Sequence, residues 1–276
     1  KFGVVQRKAL VTKANLPDIL VMTATPIPRT LALSLYGDLA VSTIAHLPPG
    51  RLPVQTVWCR EAQRLQAYED IRQQLRQGRQ GYVVYPLIES GVRQDLKDAT
   101  HMARALRAQI FPEYRVELLH GHMRAKDKDA IMQAFVEGRI HLLGSTVIVE
   151  VGLDVPNATI MLIEHPERFG LAQLHQLRGR IGRSGFASTC LLISDTADEL
   201  AAQRLQAFVE TTDGFQLAER DLQLRGPGEL LGRRQHGWMR FRLADLSRDA
   251  GLLELARGEA TAEVAQRPGL MTPSRS

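Results

Sequence analysis

Gln173-Leu-His-Gln-Leu-Arg-Gly-Arg-Ile-Gly-Arg183 places three arginines, Arg178, Arg180 and Arg183, within six residues and separates them with Gly179 and Gly182. Arginine is always charged, and its planar fork of donors suits phosphate better than the point charge of lysine. The glycines let backbone come close to whatever the arginines hold. An arginine pair on a short turn after a helix is a layout that can stabilise charge developing on a transferring phosphoryl group. A solvated basic loop is the plainer reading of a lone Arg-Gly-Arg. What flanks the stretch decides between them, and decides the fold. Residues 159–164 form an apolar run that reads as a buried strand, 171–177 read as a helix, and 188–194 read as a second strand. The arginines therefore sit inside a β-α-β unit.

The same alternation extends outward. Further strands are expected at 18–23, 54–58, 82–88, 116–120 and 140–146. Helices are expected from Pro28 through Thr30 to Tyr36, at 61–77 ahead of Gly78, at 95–110, and at 126–136 ahead of Gly138. Strands alternating with helices of this length give an α/β fold, a parallel sheet covered on both faces. Residues 47–53, with three prolines and a glycine, read as a linker. Asp198-Glu199 begins another helix. Residues 241–257 look helical, with Leu243, Leu246, Leu252, Leu253 and Leu255 available for packing, and the chain from Glu259 to Ser276 reads as a frayed tail.

A length of 276 residues accommodates two units, and 44% hydrophobic residues suffice for a core. No apolar run is long enough for a transmembrane helix. Lys1-Phe-Gly-Val is not a signal peptide, and without an initiator Met the chain reads as the interior of a longer polypeptide. Cys59 and Cys190 make no metal spacing, which points to a reducing, cytoplasmic setting. Most of the net charge of +5 gathers in residues 220–242, where Arg220, Arg225, Arg233, Arg234, Arg240 and Arg242 meet only Asp221 and Glu229. That cluster suggests a nucleic-acid-facing surface, although arginine is the favoured cation throughout the chain.

Three smaller constellations matter. Thr23-Ala-Thr25 follows the expected strand at 18–23, where its hydroxyls could meet a ligand or cap the next helix. Ser145-Thr146-Val-Ile-Val-Glu150-Val-Gly152-Leu-Asp154-Val-Pro156 puts hydroxyls at a strand end and a carboxylate in a Pro-terminated turn. Hydroxyls and N–H groups bind phosphate well, and Asp154 could receive a ribose hydroxyl, orient an arginine or cap its own turn. His120-Gly-His122 lacks a carboxylate or cysteine at ligand spacing and reads as a loop rather than a metal site.

Taken in order, Thr-Ala-Thr, Gly-Leu-Asp-Val-Pro and Gln-x-x-Gly-Arg-x-Gly-Arg at 176–183 resemble the superfamily 2 helicases. The stretches 22–32 and 168–183 look like the branch that holds RecG and the transcription-repair coupling factor. Leu47-Pro-Pro-Gly-Arg51, residues 82–89 and Asp221-Leu-Gln-Leu-Arg-Gly-Pro-Gly-Glu-Leu-Leu-Gly-Arg-Arg-Gln-His-Gly237 favour the RecG family. The resemblance covers nearly the whole chain. It implies a RecA-like motor lobe with a C-terminal, mostly helical element. Residues 1–50 would be the remainder of lobe one, 51–197 lobe two, and 198–276 the translocation region and tail.

The resemblance also implies roles. Thr23 and Thr25 would couple the lobes. Gly152 and Asp154, with Ser145 and Thr146 before them, would touch nucleotide and DNA backbone. Gln176, Arg180 and Arg183 match an arginine-finger motif directed at the γ-phosphate of ATP. Arg225, Arg233, Arg234 and Gln235 match a translocation motif. Val147 stands where a second threonine is expected, which puts a phosphate contact there in doubt. Gly-Lys never occurs, so the ATP phosphate cradle is absent, as is an Asp-Glu-x-His box for Mg²⁺. Both would belong to an earlier lobe, and the isolated fragment is expected to be inactive. The implied whole is a monomeric, cytoplasmic ATP-dependent helicase remodelling branched DNA in repair and recombination, partnered by its own N-terminal domains. Two alternatives remain: a transcription-repair coupling translocase, and a non-catalytic nucleic-acid-binding module.

Overall fold

The computed structural model describes residues 50–86, 100–146, 154–225 and 249–267, with positions 20, 22, 42, 44 and 48. The elements in chain order are β1 (Gln55–Cys59), a 3-10 turn (Glu61–Gln63), α1 (Arg64–Arg76) and β2 (Gln80–Val84). A helix α2, seen from 100 to 105, ends in a π turn at Leu106–Ile110. Then come β3 (Val116–Leu119), α3 (Ala125–Val136), β4 (Leu142–Ser145) and β5 (Ala158–Glu164). A 3-10 turn (Pro166–Arg168), α4 (Leu171–Arg178), β6 (Thr189–Ile193), α5 (Glu199–Glu210), α6 (Gly214–Arg225) and α7 (Ala250–Gln266) complete the series.

The six strands form one sheet in the order β1-β6-β5-β2-β4-β3, and every pairing is parallel. Parallel neighbours must be joined by crossovers, and the described helices between strands lie on the faces of the sheet. Successive strand residues point to opposite faces, and the core divides accordingly. Tyr82, Val84, Leu143, Met161, Ile163, Cys190 and Leu192 pack on one face with Met132 and Phe135 of α3, Leu171, Leu174 and Leu177 of α4, Leu205 and Phe208 of α5, and Leu217 of α6. Val83, Tyr85, Leu142, Ile160, Leu162, Leu191 and Ile193 pack on the other with Ala67, Tyr68, Ile71 and Leu75 of α1, Leu106 of the π turn and Phe111 after it. Covering on both faces explains why these strands read as continuous apolar runs.

Two details fix the centre. Gly81 of β2 faces Ile160 so closely that an added Cβ would stand 2.7 Å from the Ile160 side chain. The amide of buried Gln80 donates to the carbonyls of Phe135 and Ile140 at 2.6 and 2.7 Å, tying α3 and β4 to the start of β2. Cys59 and Cys190 are buried, and burial pushes the Cys190 thiol up to about 12.

The structure bears on four expectations. The buried strand at 18–23 lies mostly outside the described residues. Leu20 and Met22, which are described, carry no strand and are exposed. Strand β2 spans Gln80–Val84, starting two residues earlier than expected, because Gln80 pairs with β5 and Gly81 with both β5 and β4 despite lacking an apolar side chain. The tail expected to fray from Glu259 is helical to Gln266. Its repeated alanines carry high helix propensity without an amphipathic stripe. Leu252 and Leu255, expected to pack, are exposed.

Candidate functional site

Helix α4 buries Leu171, Leu174 and Leu177, and Gln173 turns back so that its Oε1 accepts from the Gly170 N–H at 2.9 Å. The helix ends at Gly179, whose N–H donates to the His175 carbonyl at 3.0 Å. The Arg180 N–H donates to the Leu177 carbonyl at 2.9 Å, and the turn closes at Gly182 with φ 67°. That left-handed conformation suits glycine. An added Cβ there would also meet the Val54 side chain at 2.6 Å. The glycine at 182 is thus required twice, by conformation and by the start of β1.

The three arginines have separate fates. Arg178, expected to join a phosphate-directed cluster, is 3% exposed and turned into the protein. Its Nη1 donates to the Phe208 carbonyl at 2.9 Å and to Thr56 Oγ1 at 3.1 Å, and its guanidinium lies 4.1 Å from the centre of the Phe208 ring. Burial holds its pKa below the ordinary arginine value. Arg183 stays at the surface side of the turn. Its Nε donates to the Gly179 carbonyl at 3.0 Å, and its Nη1 reaches Asp154 Oδ1 at 3.3 Å. With Asp154 58% exposed, that ion pair contributes little stability, about 0–1 kcal/mol, and its effect is to orient the guanidinium. Arg180 and Gln176 are half-buried. Arg180, Arg183 and Asp154 all act electrostatically on the buried Tyr82 phenol, which burial pushes up to about 12. The fold therefore brings Asp154 to Arg183, with Arg180 three residues earlier on the same turn.

One residue of this site was not expected. Arg51, in the proline-rich stretch, donates from Nε to the Gly182 carbonyl at 2.9 Å. Its Nη2 reaches the carbonyls of Gly179 and Ile181 at 3.4 Å each. Burial, and then the neighbouring Arg183, hold its pKa below the ordinary value, while Asp154 opposes them. The signal in the sequence was indirect: a helix ending on a glycine turn leaves carbonyls that need donors.

The site lies at the amino ends of the strands. Asp154 precedes β5, and Gly182 packs against Val54 and Ser188, which precede β1 and β6. Ser145 and Thr146 lie at the opposite, carboxyl end of β4. Both are buried, Ser145 completely. The rule that ligands gather at carboxyl ends therefore does not locate the arginine turn. Thr23, Thr25, Gly152, Arg233, Arg234 and Gln235 fall outside the described residues. Arg225 ends α6, its side chain lying outside them. Among the described residues no group of three or more His, Cys, Asp or Glu could hold a metal ion.

His175, one turn before Gly179, gives this site a pH dependence. Burial, and then Arg178, hold its imidazole below the ordinary value of 6.5, and Nδ1 lies 3.5 Å from Arg178 Nη2, a contact that needs an unprotonated nitrogen. The folded state thus disfavours the proton that the unfolded chain accepts. The stabilisation is complete above about 6.5 and declines as pH falls below it. The chain should lose more stability between about pH 7.5 and 5.5 than His175→Asn does, measured by urea midpoints. Equal losses would show that His175 does not titrate against folding.

Comparison with known proteins bears on the fold class. The model for the helicase conserved C-terminal domain matches residues 64–185, from α1 through β2 to β5 and the arginine turn. The model for domain 3, C-terminal, of ATP-dependent DNA helicase RecG matches residues 211–276. The fold and turn define a RecA-like helicase C-terminal lobe, a parallel sheet sandwiched by helices with further helices in its C-terminal part. Within that class the chain is similar to the C-terminal part of RecG helicases. It is 50% identical to the RecG of Thermotoga maritima over 93% of its length, covering 33% of that protein. The RecG of Bacillus subtilis is 43% identical over 96% of this chain, which covers 39% of it. A solved structure of RecG bound to a three-way DNA junction superposes with a TM-score of 0.69 at 48% identity, over 88% of this chain and 31% of that one. The chain thus spans about a third of the length of the curated relatives it matches.

Proposed function

We propose that this chain is the second motor lobe and translocation region of an ATP-dependent DNA helicase that remodels branched DNA. The observation that carries the reading is the arginine turn, with Arg183 steered by Asp154 and by the Gly179 carbonyl while Arg180 stands three residues before it on the same turn. Two guanidiniums fit the oxygens of a nucleotide γ-phosphate. Arg180 and Arg183 meet the phosphoryl group across a cleft and stabilise the charge that builds as water attacks. Gln176 lines the same turn. Asp154 and Gly152 serve the nucleotide, Thr23 and Thr25 couple the lobes, and Ser145 and Thr146 serve the DNA backbone. On this reading the Mg²⁺ ligands and the phosphate cradle belong to another lobe of the full-length protein, since the Gly-Lys of such a cradle does not occur in this chain. Arg225, Arg233, Arg234 and Gln235 relay nucleotide state to the duplex.

The branched-DNA reading draws support from the junction bound by the homologous RecG. A role in repair and recombination, in the cytoplasm and as a monomer working with its own N-terminal domains, follows from that reading. ATP turnover by the full-length protein should be stimulated more by a three-way junction than by linear duplex, and should fall steeply with salt. The 276-residue chain alone should turn over no ATP. Equal stimulation by both DNAs would remove the branched substrate. Turnover by the chain alone that Arg183→Ala abolishes would remove the division of labour between lobes.

A further inference from the structure

We propose that Arg51 is the positioning residue of the arginine turn. This rests on the reading of Arg180 and Arg183 as phosphoryl-directed. The turn leaves the carbonyls of Gly179, Ile181 and Gly182 without helical partners, and the Arg51 guanidinium spans all three from a position at least 128 residues earlier. A planar fork can do this where a single ammonium cannot. Arg183 hangs on the same frame, because its Nε donates to the Gly179 carbonyl that Arg51 also engages. Movement of Arg51 would thus move the anchor of Arg183.

Arg51 is itself held. Its N–H donates to the Pro48 carbonyl at 3.3 Å, closing a turn in which Gly50 takes φ 79°. Pro53 and the start of β1 follow within four residues. This short stiff segment delivers the guanidinium with little freedom to lose. The arrangement also carries a cost, since burial and Arg183 both disfavour the charge on Arg51. Three carbonyls compensate a cation that a simple linker would leave in water. The segment entering the lobe and the turn at its edge are therefore one mechanical unit, and a shift in the former resets the geometry of the latter.

The test uses Arg51→Ala and Arg51→Lys. In the 276-residue chain, amide exchange at residues 180–183 is compared with that of the β2 core. In the full-length protein, kcat and KM for ATP are measured. Both variants should speed exchange at the turn about tenfold while the core is unchanged. Both should lower kcat about a hundredfold with KM unchanged, as misplacement of a catalytic group does. Unchanged exchange overturns the proposal, as does faster exchange with normal kcat. Full rescue by Arg51→Lys also overturns it, since charge alone would then suffice. An unsubstituted full-length protein that turns over no ATP removes the phosphoryl-transfer reading, and this proposal with it. The exchange measured on the chain alone separates that failure from a failure of Arg51 to hold the turn.

Discussion

Arg183→Ala lowers ATP turnover by the full-length protein about a thousandfold or more, while the fold of this lobe persists. The reasoning starts from two contacts. The guanidinium makes one hydrogen bond to a carbonyl and one partly screened pair with Asp154, so its removal costs the fold on the order of 1 kcal/mol or less. The Gly179 carbonyl that Arg183 leaves is still reached by Arg51. The effect falls instead on charge that exists only in the transition state, where a fixed cation counts most. Arg183→Lys should recover little of the loss, because one ammonium cannot keep Gly179, Asp154 and a phosphate together. The measurement is steady-state turnover with saturating junction DNA, beside a thermal melt of each variant. A loss below about tenfold with an unchanged melt would show that Arg183 is not a transition-state cation.

Arg178→Ala gives the opposite pattern, a loss of about 3 kcal/mol in stability. The side chain fills space between α4, β1 and α5, and its truncation opens a cavity beside Phe208 while leaving the Phe208 carbonyl and Thr56 hydroxyl without their donor. Such orphaned groups cost about 1–3 kcal/mol each when water cannot replace the donor. A second effect opposes these. Among the described residues no carboxylate pairs with Arg178, so its charge is buried at a desolvation cost that truncation relieves. The two can be separated with Arg178→Met, which keeps volume and drops the charge. Methionine should recover more than half of the loss seen with alanine, measured by urea unfolding of the chain. A methionine variant as unstable as the alanine variant would show that hydrogen bonds outweigh packing at this position.

This contrast shows what the sequence could reveal and where it stopped. The alternation of apolar runs and helices was legible because each strand is buried on both faces and reads continuously, as Tyr82-Val83-Val84 does. The strand order was not legible, since it depends on which crossovers skip a neighbour. Gly81 illustrates the difficulty: a residue that looks unfit for a strand is needed at the centre because Ile160 presses against it. The arginine turn was legible as a unit through its glycines and spacing. The inward rotation of Arg178 was not, because its partners stand 122 and 30 residues away. Arg51 was read as part of a linker for the same reason. Its function depends on three carbonyls, and carbonyls carry no letter in a sequence.

The two thiols have a practical consequence. Cys190 lies fully enclosed in β6 and its ionisation is pushed up to about 12, and Cys59 is buried with its ionisation raised by burial. Maleimide dyes attack thiolates, so the folded chain should be nearly silent toward them at neutral pH. A cysteine introduced at an exposed position such as Arg76 or Leu200 would then be the dominant point of attachment. Fluorophores could be placed on this lobe one at a time without first removing either native cysteine from the core.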